Sequence, residues 1–133
     1  MLTHTTRIRV RYADTDKMGI VYYAKYLEYF EVARTEMLRS LGLPYREIEA
    51  KGFELPVANA SIKYYKGAAY DDELRITASL TPKHSPRVEI HYEVRLSGED
   101  ELIAEGETTL VFVDAKTGKP TRAPQFYLDA IAE

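Results

Sequence analysis

The residues with the most chemical reach lie in one stretch, YADTDKMGIVYYAKYLEYFEVARTEMLRSLG, positions 12–42. Two carboxylates, Asp14 and Asp16, stand with Gly19 in a loop that opens into a helical pattern. A carboxylate held there can attack a carbonyl or activate water. The first N–H groups of the helix lack intrahelical partners and carry the positive end of its dipole, so they can polarise the carbonyl oxygen. The same aspartates also read as turn and N-cap residues, where aspartate is favoured. They imitate the start of a calcium loop, D-x-D-x-x-G. Met18 takes a ligand position, however, and Lys25 stands where the bidentate glutamate belongs, so calcium is rejected.

Other candidates are weaker. Glu28, Glu31 and Glu36 lie in the helical stretch, where solvated glutamate is the commoner reading. His4, His84 and His91 fall in the terminus, a hairpin and the polar face of a strand, with no spacing suited to a metal or a triad, and no metal is expected. Lys63, Lys66, Lys83 and Arg87 stand near strand ends, where they can meet phosphates or protect a sheet edge. With no cysteine, a disulfide framework, a thiolate zinc site and a thiol nucleophile are excluded together, and the reducing cytosol fits.

The elements that must position these groups follow from periodicity. Residues 5–12 alternate, with Ile8, Val10 and Tyr12 opposite Arg7, Arg9 and Arg11, as in a half-buried strand. Residues 22–41 change to a period near 3.6. Tyr26, Phe30, Ala33, Met37 and Leu41 form one stripe, which Leu27, Val32 and Leu38 widen, so this helix must be covered on several sides. Gly42 and Pro44 end it, and 44–50 can add a short turn of helix. Strands are expected at 56–65, 73–81, 87–97 and 101–113, with a turn at 97–100, another at 114–120, and a weakly helical tail. Strand, long buried helix, then four strands implies α+β layering, an antiparallel sheet curling around one central helix.

The chain has 133 residues, 45% hydrophobic and 29% charged, which suits a single globular domain. Net charge is −3 with Lys and Arg scattered among acids, which disfavours nucleic acid as a partner. No apolar run approaches the roughly 20 residues of a membrane span, and the N-terminus does not resemble a signal peptide.

Residues 12–42, with ELPVANASIKYYKGAAYDDELRI and AEGETTLVFVD later on, closely resemble the 4-hydroxybenzoyl-CoA thioesterase family of hotdog proteins, especially its Tol-Pal-associated acyl-CoA branch. The signature D-x-D-x-x-G-[IV]-V-[YFW] carries the match. The resemblance implies a hotdog fold and acyl-CoA hydrolysis without metal or redox cofactor. It also implies Asp16 as catalytic nucleophile or general base, and the main-chain N–H of Tyr23 as oxyanion donor. Gly19 would let the backbone approach the thioester, while Asp14 braces the loop. It further implies a homodimer or dimer of dimers with sites between subunits. Two departures bear on the substrate: Tyr23 stands where the Tol-Pal branch usually has histidine, and Gly67 where it has proline, which leaves short aliphatic and aromatic acyl groups both open. The competing readings are a hotdog dehydratase, disfavoured by the lack of histidine between His4 and His84, and a non-catalytic acyl-CoA binder on the same fold.

Overall fold

A computed structural model describes residues 1–132. Its main sheet has five antiparallel strands in the order β1-β4-β5-β6-β3: β1 Leu2–Arg9, β3 Val57–Tyr64, β4 Glu73–Leu80, β5 Arg87–Leu96 and β6 Leu102–Val111. The alternation in the central strands sets their faces. Leu74, Ile76, Ala78 and Leu80 of β4 are buried, as are Val88, Ile90, Tyr92 and Val94 of β5. Register pairs Ile76 with Val94 and Ala78 with Tyr92, so one apolar face runs across both strands.

Helix α1, Lys25–Ser40, packs on that face against β1 and β4, burying Tyr26, Tyr29, Phe30, Ala33, Met37 and Leu38. The Phe30 ring of the helix lies against Gly106 of β6, which pairs with Tyr92. Phe30 stacks on Tyr92 with ring centroids 4.3 Å apart. A Cβ on Gly106 would fall 2.6 Å from the Phe30 ring and 2.5 Å from the Ser61 carbonyl oxygen, so glycine is what admits the ring. The helix ends in a Schellman motif. Gly42, at φ 80, donates to the Arg39 carbonyl (3.0 Å) and Leu43 donates to that of Leu38 (2.9 Å), with both leucines buried. Pro44 then opens the short helix α2, Tyr45–Ala50.

Several boundaries differ from the periodicity, the first strand beginning early, at Leu2. The first strand stops at Arg9. The chain then turns at Tyr12–Asp14, and Tyr12, expected on its inner face, is 79% exposed. Helix α1 begins at Lys25, three residues late, because the Lys25 amide closes a turn on the Tyr22 carbonyl (2.8 Å). The strand expected through residue 113 breaks after Val111. Its continuation, β7 Val113–Asp114, pairs with β2, Phe53–Glu54, in a separate two-stranded sheet. The tail is helix α3, Gln125–Ile131, which lays Tyr127 against Phe112 (centroids 4.9 Å apart). Coverage of α1 is incomplete within one chain. Leu27 and Val32 stay exposed, and so do Val57 and Tyr64 of β3, which lies at a sheet edge.

Candidate active site

The aspartate loop is a small hairpin. Thr15 bridges Val21, and within it the Asp16 amide donates to the Ile20 carbonyl and the Gly19 amide to the Asp16 carbonyl, each at 2.9 Å. Gly19 sits at φ 81, a conformation that costs other residues a steric penalty. Oδ1 of half-buried Asp16 accepts from the Met18 amide (2.9 Å), and Oδ2 takes no hydrogen bond from the described residues. The hairpin is sewn to the segment after β3: Ile20 bridges Ala69, and the Val21 amide donates to the Ala68 carbonyl (2.8 Å).

Asp14 has the opposite environment. It is 2% exposed, and its carboxylate accepts from the Arg11 amide (3.1 Å), the Arg11 guanidinium (3.0 Å) and the Tyr29 hydroxyl (2.8 Å). Burial pushes its carboxyl up, but these donors together with the Arg11 charge outweigh it and hold the carboxyl below the ordinary value. The two aspartates thus separate into one saturated with donors and one with a free oxygen.

Between the hairpin and the end of β3 lies a cleft of about 340 Å³, lined by Asp16, Tyr23, Tyr26, Tyr64, Lys66 and Gly67 among others. The Tyr23 carbonyl accepts from the Tyr64 hydroxyl (2.9 Å) and the Tyr26 amide (3.4 Å), whereas the Tyr23 amide has no hydrogen-bond partner among the described residues. It belongs to the turn leading into α1, where amides lack intrahelical acceptors. Burial, with Tyr64 beside it, pushes the Tyr26 phenol up to about 12, so this wall is uncharged at neutral pH. A half-buried carboxylate and a free main-chain donor at the mouth of one helix can act on a bound acyl carbonyl.

A family model described as the thioesterase-like superfamily matches residues 10–131. The chain belongs to that superfamily. Acyl-CoA thioester hydrolase YbgC of Escherichia coli O157:H7 is 33% identical over 118 residues, 89% of this chain and 87% of that protein. The 1,4-dihydroxy-2-naphthoyl-CoA hydrolase of Synechocystis is 30% identical over 134 residues, 100% of this chain and 97% of that one. Among solved structures, the DHNA-CoA thioesterase of Staphylococcus aureus aligns with a TM-score of 0.89 at 32% identity, covering 97% of this chain and 86% of that one. This member of the thioesterase-like superfamily has the hotdog fold and is a thioester hydrolase.

Of the residues singled out in its sequence, Asp16, Tyr23 and Lys66 come together at the cleft, with Gly19 in the turn beside Asp16. Among the described residues the Lys66 ammonium pairs only with Glu101, at 3.4 Å with both side chains exposed, a pairing weak enough for a phosphate to displace. Lys63 does not join them. It alternates with Tyr64, whose ring faces Tyr26, and so projects from the other face of the sheet. Lys83 and Arg87 are at the far end: Arg87 pairs with Val111 whereas Tyr64 pairs with Ala104, roughly 23 Å apart along β6. Lys83 is held by Glu89. Glu28 pairs with Lys25 and Glu36 with Arg39 on the helix surface. Tyr26 and Tyr64 line the cleft and Tyr29 bonds Asp14, roles that no local pattern in the sequence marks. His91 does not stand alone on the surface. Sheet register instead sets it 3.6 Å from Glu105 and Glu107 and 4.0 Å from Glu93, on the face away from α1. His91, Glu93 and Glu105 are the group among the described residues whose atoms are close enough to share a metal ion; none of the three lines the cleft, and Glu105 accepts a 2.6 Å hydrogen bond from the hydroxyl of Tyr65, which does.

Among the described residues, no helix is long and apolar enough to cross a membrane.

Proposed function

We propose that the chain, acting as one domain in the cytoplasm, hydrolyses a small acyl-CoA, short aliphatic or aromatic, to the free acid and CoA. The observation that carries this reading is the shared cleft of the Asp16 carboxylate and the unpartnered Tyr23 amide. The thioester carbonyl oxygen points at the Tyr23 N–H, while Asp16 either attacks the carbonyl carbon or takes a proton from the attacking water. In the first route Asp16 forms a mixed anhydride, CoA leaves as its thiolate, and water then cleaves the anhydride. In the second, water adds directly and the tetrahedral intermediate expels the thiolate. Lys66, in the lining of the cleft, would meet a CoA phosphate, and Gly19, at φ 81, lets the hairpin turn beside Asp16. No metal or redox cofactor takes part in either route.

The 4-hydroxybenzoyl-CoA branch suits the tyrosine at position 23, and the naphthoyl-CoA hydrolases among the relatives make an aromatic acyl group a natural candidate. The active assembly is a dimer or a dimer of dimers. Leu27, Val32 and Val57 offer it an unshielded apolar surface beside the free edge of β3. An apolar hollow of about 460 Å³ opens between α1 and the sheet, lined by Leu38, Leu55, Val88 and Ile90 with Glu31 and Arg34 at its side. Across a subunit interface it supplies the pocket residues that complete the neighbouring chain's site. Lys63, Lys83 and Arg87, remote from the cleft of their own chain, can meet CoA only in such an assembly.

The test is a panel of acyl-CoA substrates ranked by kcat/KM. Turnover with a clear preference supports the enzyme. Tight binding with no hydrolysis at any chain length replaces it with an acyl-CoA-binding protein.

A further inference from the structure

We infer that Gly67 is a positioning residue for Asp16, acting through the side chain of Ile20. The inference rests on Asp16 carrying the reaction, but its physical basis is a contact outside the catalytic pair. A Cβ on Gly67 would lie 2.8 Å from Cγ2 of Ile20 and 3.2 Å from both its Cβ and its Cδ1. Rotating the isoleucine can move Cγ2 and Cδ1, within the few χ1 alternatives of a β-branched side chain, but the 3.2 Å contact with Cβ remains, because Cβ moves only with the backbone.

That backbone is pinned on both sides. The Ile20 carbonyl accepts the Asp16 amide at 2.9 Å, Ile20 bridges Ala69, and the Val21 amide donates to Ala68 at 2.8 Å. Gly67 is held in turn, since the Tyr65 and Lys66 amides both donate to the Ile103 carbonyl of β6, at 2.9 and 3.1 Å. Two anchored segments therefore meet at Gly67 and Ile20 with no room for a methyl group. Added volume there must displace the hairpin, in which the Asp16 amide is hydrogen-bonded directly to the Ile20 carbonyl. Gly67 has no positive φ, so the need for glycine comes from close approach and not from backbone conformation.

The experiment is a cycle of Gly67→Ala in the wild-type and Ile20→Ala backgrounds, read by kcat, KM and hydrogen exchange of the Asp16 and Val21 amides. In the wild type, Gly67→Ala is expected to lower kcat at least tenfold with KM within threefold, and to speed exchange at both amides. In the Ile20→Ala background, where the 2.8 Å contact with Cγ2 is removed, the same change should cost less than threefold. An equal loss in both backgrounds overturns the inference, because the effect then comes from Gly67's own freedom. So does a fully active Gly67→Ala with a raised Tm, the result expected of alanine where there is room. If the wild type hydrolyses no acyl-CoA the proposed function fails, yet amide exchange still decides this contact. Unchanged protection in Gly67→Ala would then overturn it.

Discussion

The Tyr29 hydroxyl donates a 2.8 Å hydrogen bond to Oδ2 of Asp14, joining the loop ahead of α1 to the buried face of the helix. The Asp14 carbonyl also accepts the Tyr22 amide at 2.8 Å, so a single residue ties the start of the hairpin to its end. Burial and this bond push the Tyr29 phenol well up, which keeps it a donor throughout the physiological range. With Asp14 fixed in this way, the carboxylate two residues on, Asp16, is left at the cleft with an oxygen free.

Replacing Asp16 with asparagine keeps the shape and the Met18 contact while removing the proposed nucleophile or base. We expect kcat to fall by about 10²- to 10⁴-fold, with unchanged circular dichroism and CoA affinity. Steady-state kinetics beside a CoA titration check this, and near-native kcat would exclude the mechanism.

Asp14→Asn should mainly cost stability, about 2 kcal/mol from lost hydrogen bonds to a buried charged group, with a smaller loss of kcat than Asp16→Asn. The pH dependence has a definite sign. A carboxyl whose folded pKa is depressed stabilises the fold above its unfolded value, near about 3.9, and that contribution is lost as pH falls through the folded value. Denaturant titrations should therefore show the wild-type advantage at pH 7 shrinking once the pH drops below about 4. A constant difference would remove Asp14 as the source.

Gly106→Ala places a methyl group against the Phe30 ring and the Ser61 carbonyl, so a stability loss of about 1–3 kcal/mol is expected. Thermal melting reads this directly, and a Tm at or above wild type would mean that α1 can rise off the sheet without penalty.

Burial pushes the Tyr127 phenol up to about 12. A raised folded pKa gives stability that is whole below the unfolded value, about 10, and is lost as pH climbs through about 12. The full contribution is about 3 kcal/mol. Tyr127→Phe cannot ionise, so its unfolding free energy should fall less steeply between pH 10 and 12 than that of the wild type, leaving the similar Tyr26 contribution in place.

Light scattering at micromolar protein should give a dimer or tetramer, and Val57→Asp on the free edge of β3 should shift it toward monomer with loss of turnover. A folded, fully active monomer would end the shared-site reading.

Local chemistry made much of this legible in the sequence. The alternation at 73–81 and 87–97 became β4 and β5 with the expected residues inward, because period-2 burial needs only a strand and a face. Gly42 marked the helix end, because its positive φ is a property of one residue. The D-x-D-x-x-G signature led to the loop that carries Asp16, and Asp14 was expected to brace it. Which groups meet across long separations was settled only by tertiary structure. Nothing at position 29 announces a partner for Asp14, nothing at 67 a contact with Ile20, and nothing at 91 a ring of glutamates fixed by strand register. Lys63 and Lys66 look alike in sequence yet stand apart, since Lys63 is on the outer face of β3 and Lys66 lies beyond its end at the cleft. Periodicity reports how a segment divides between core and solvent, whereas register and packing choose the neighbour, and that choice depends on the rest of the chain being in place.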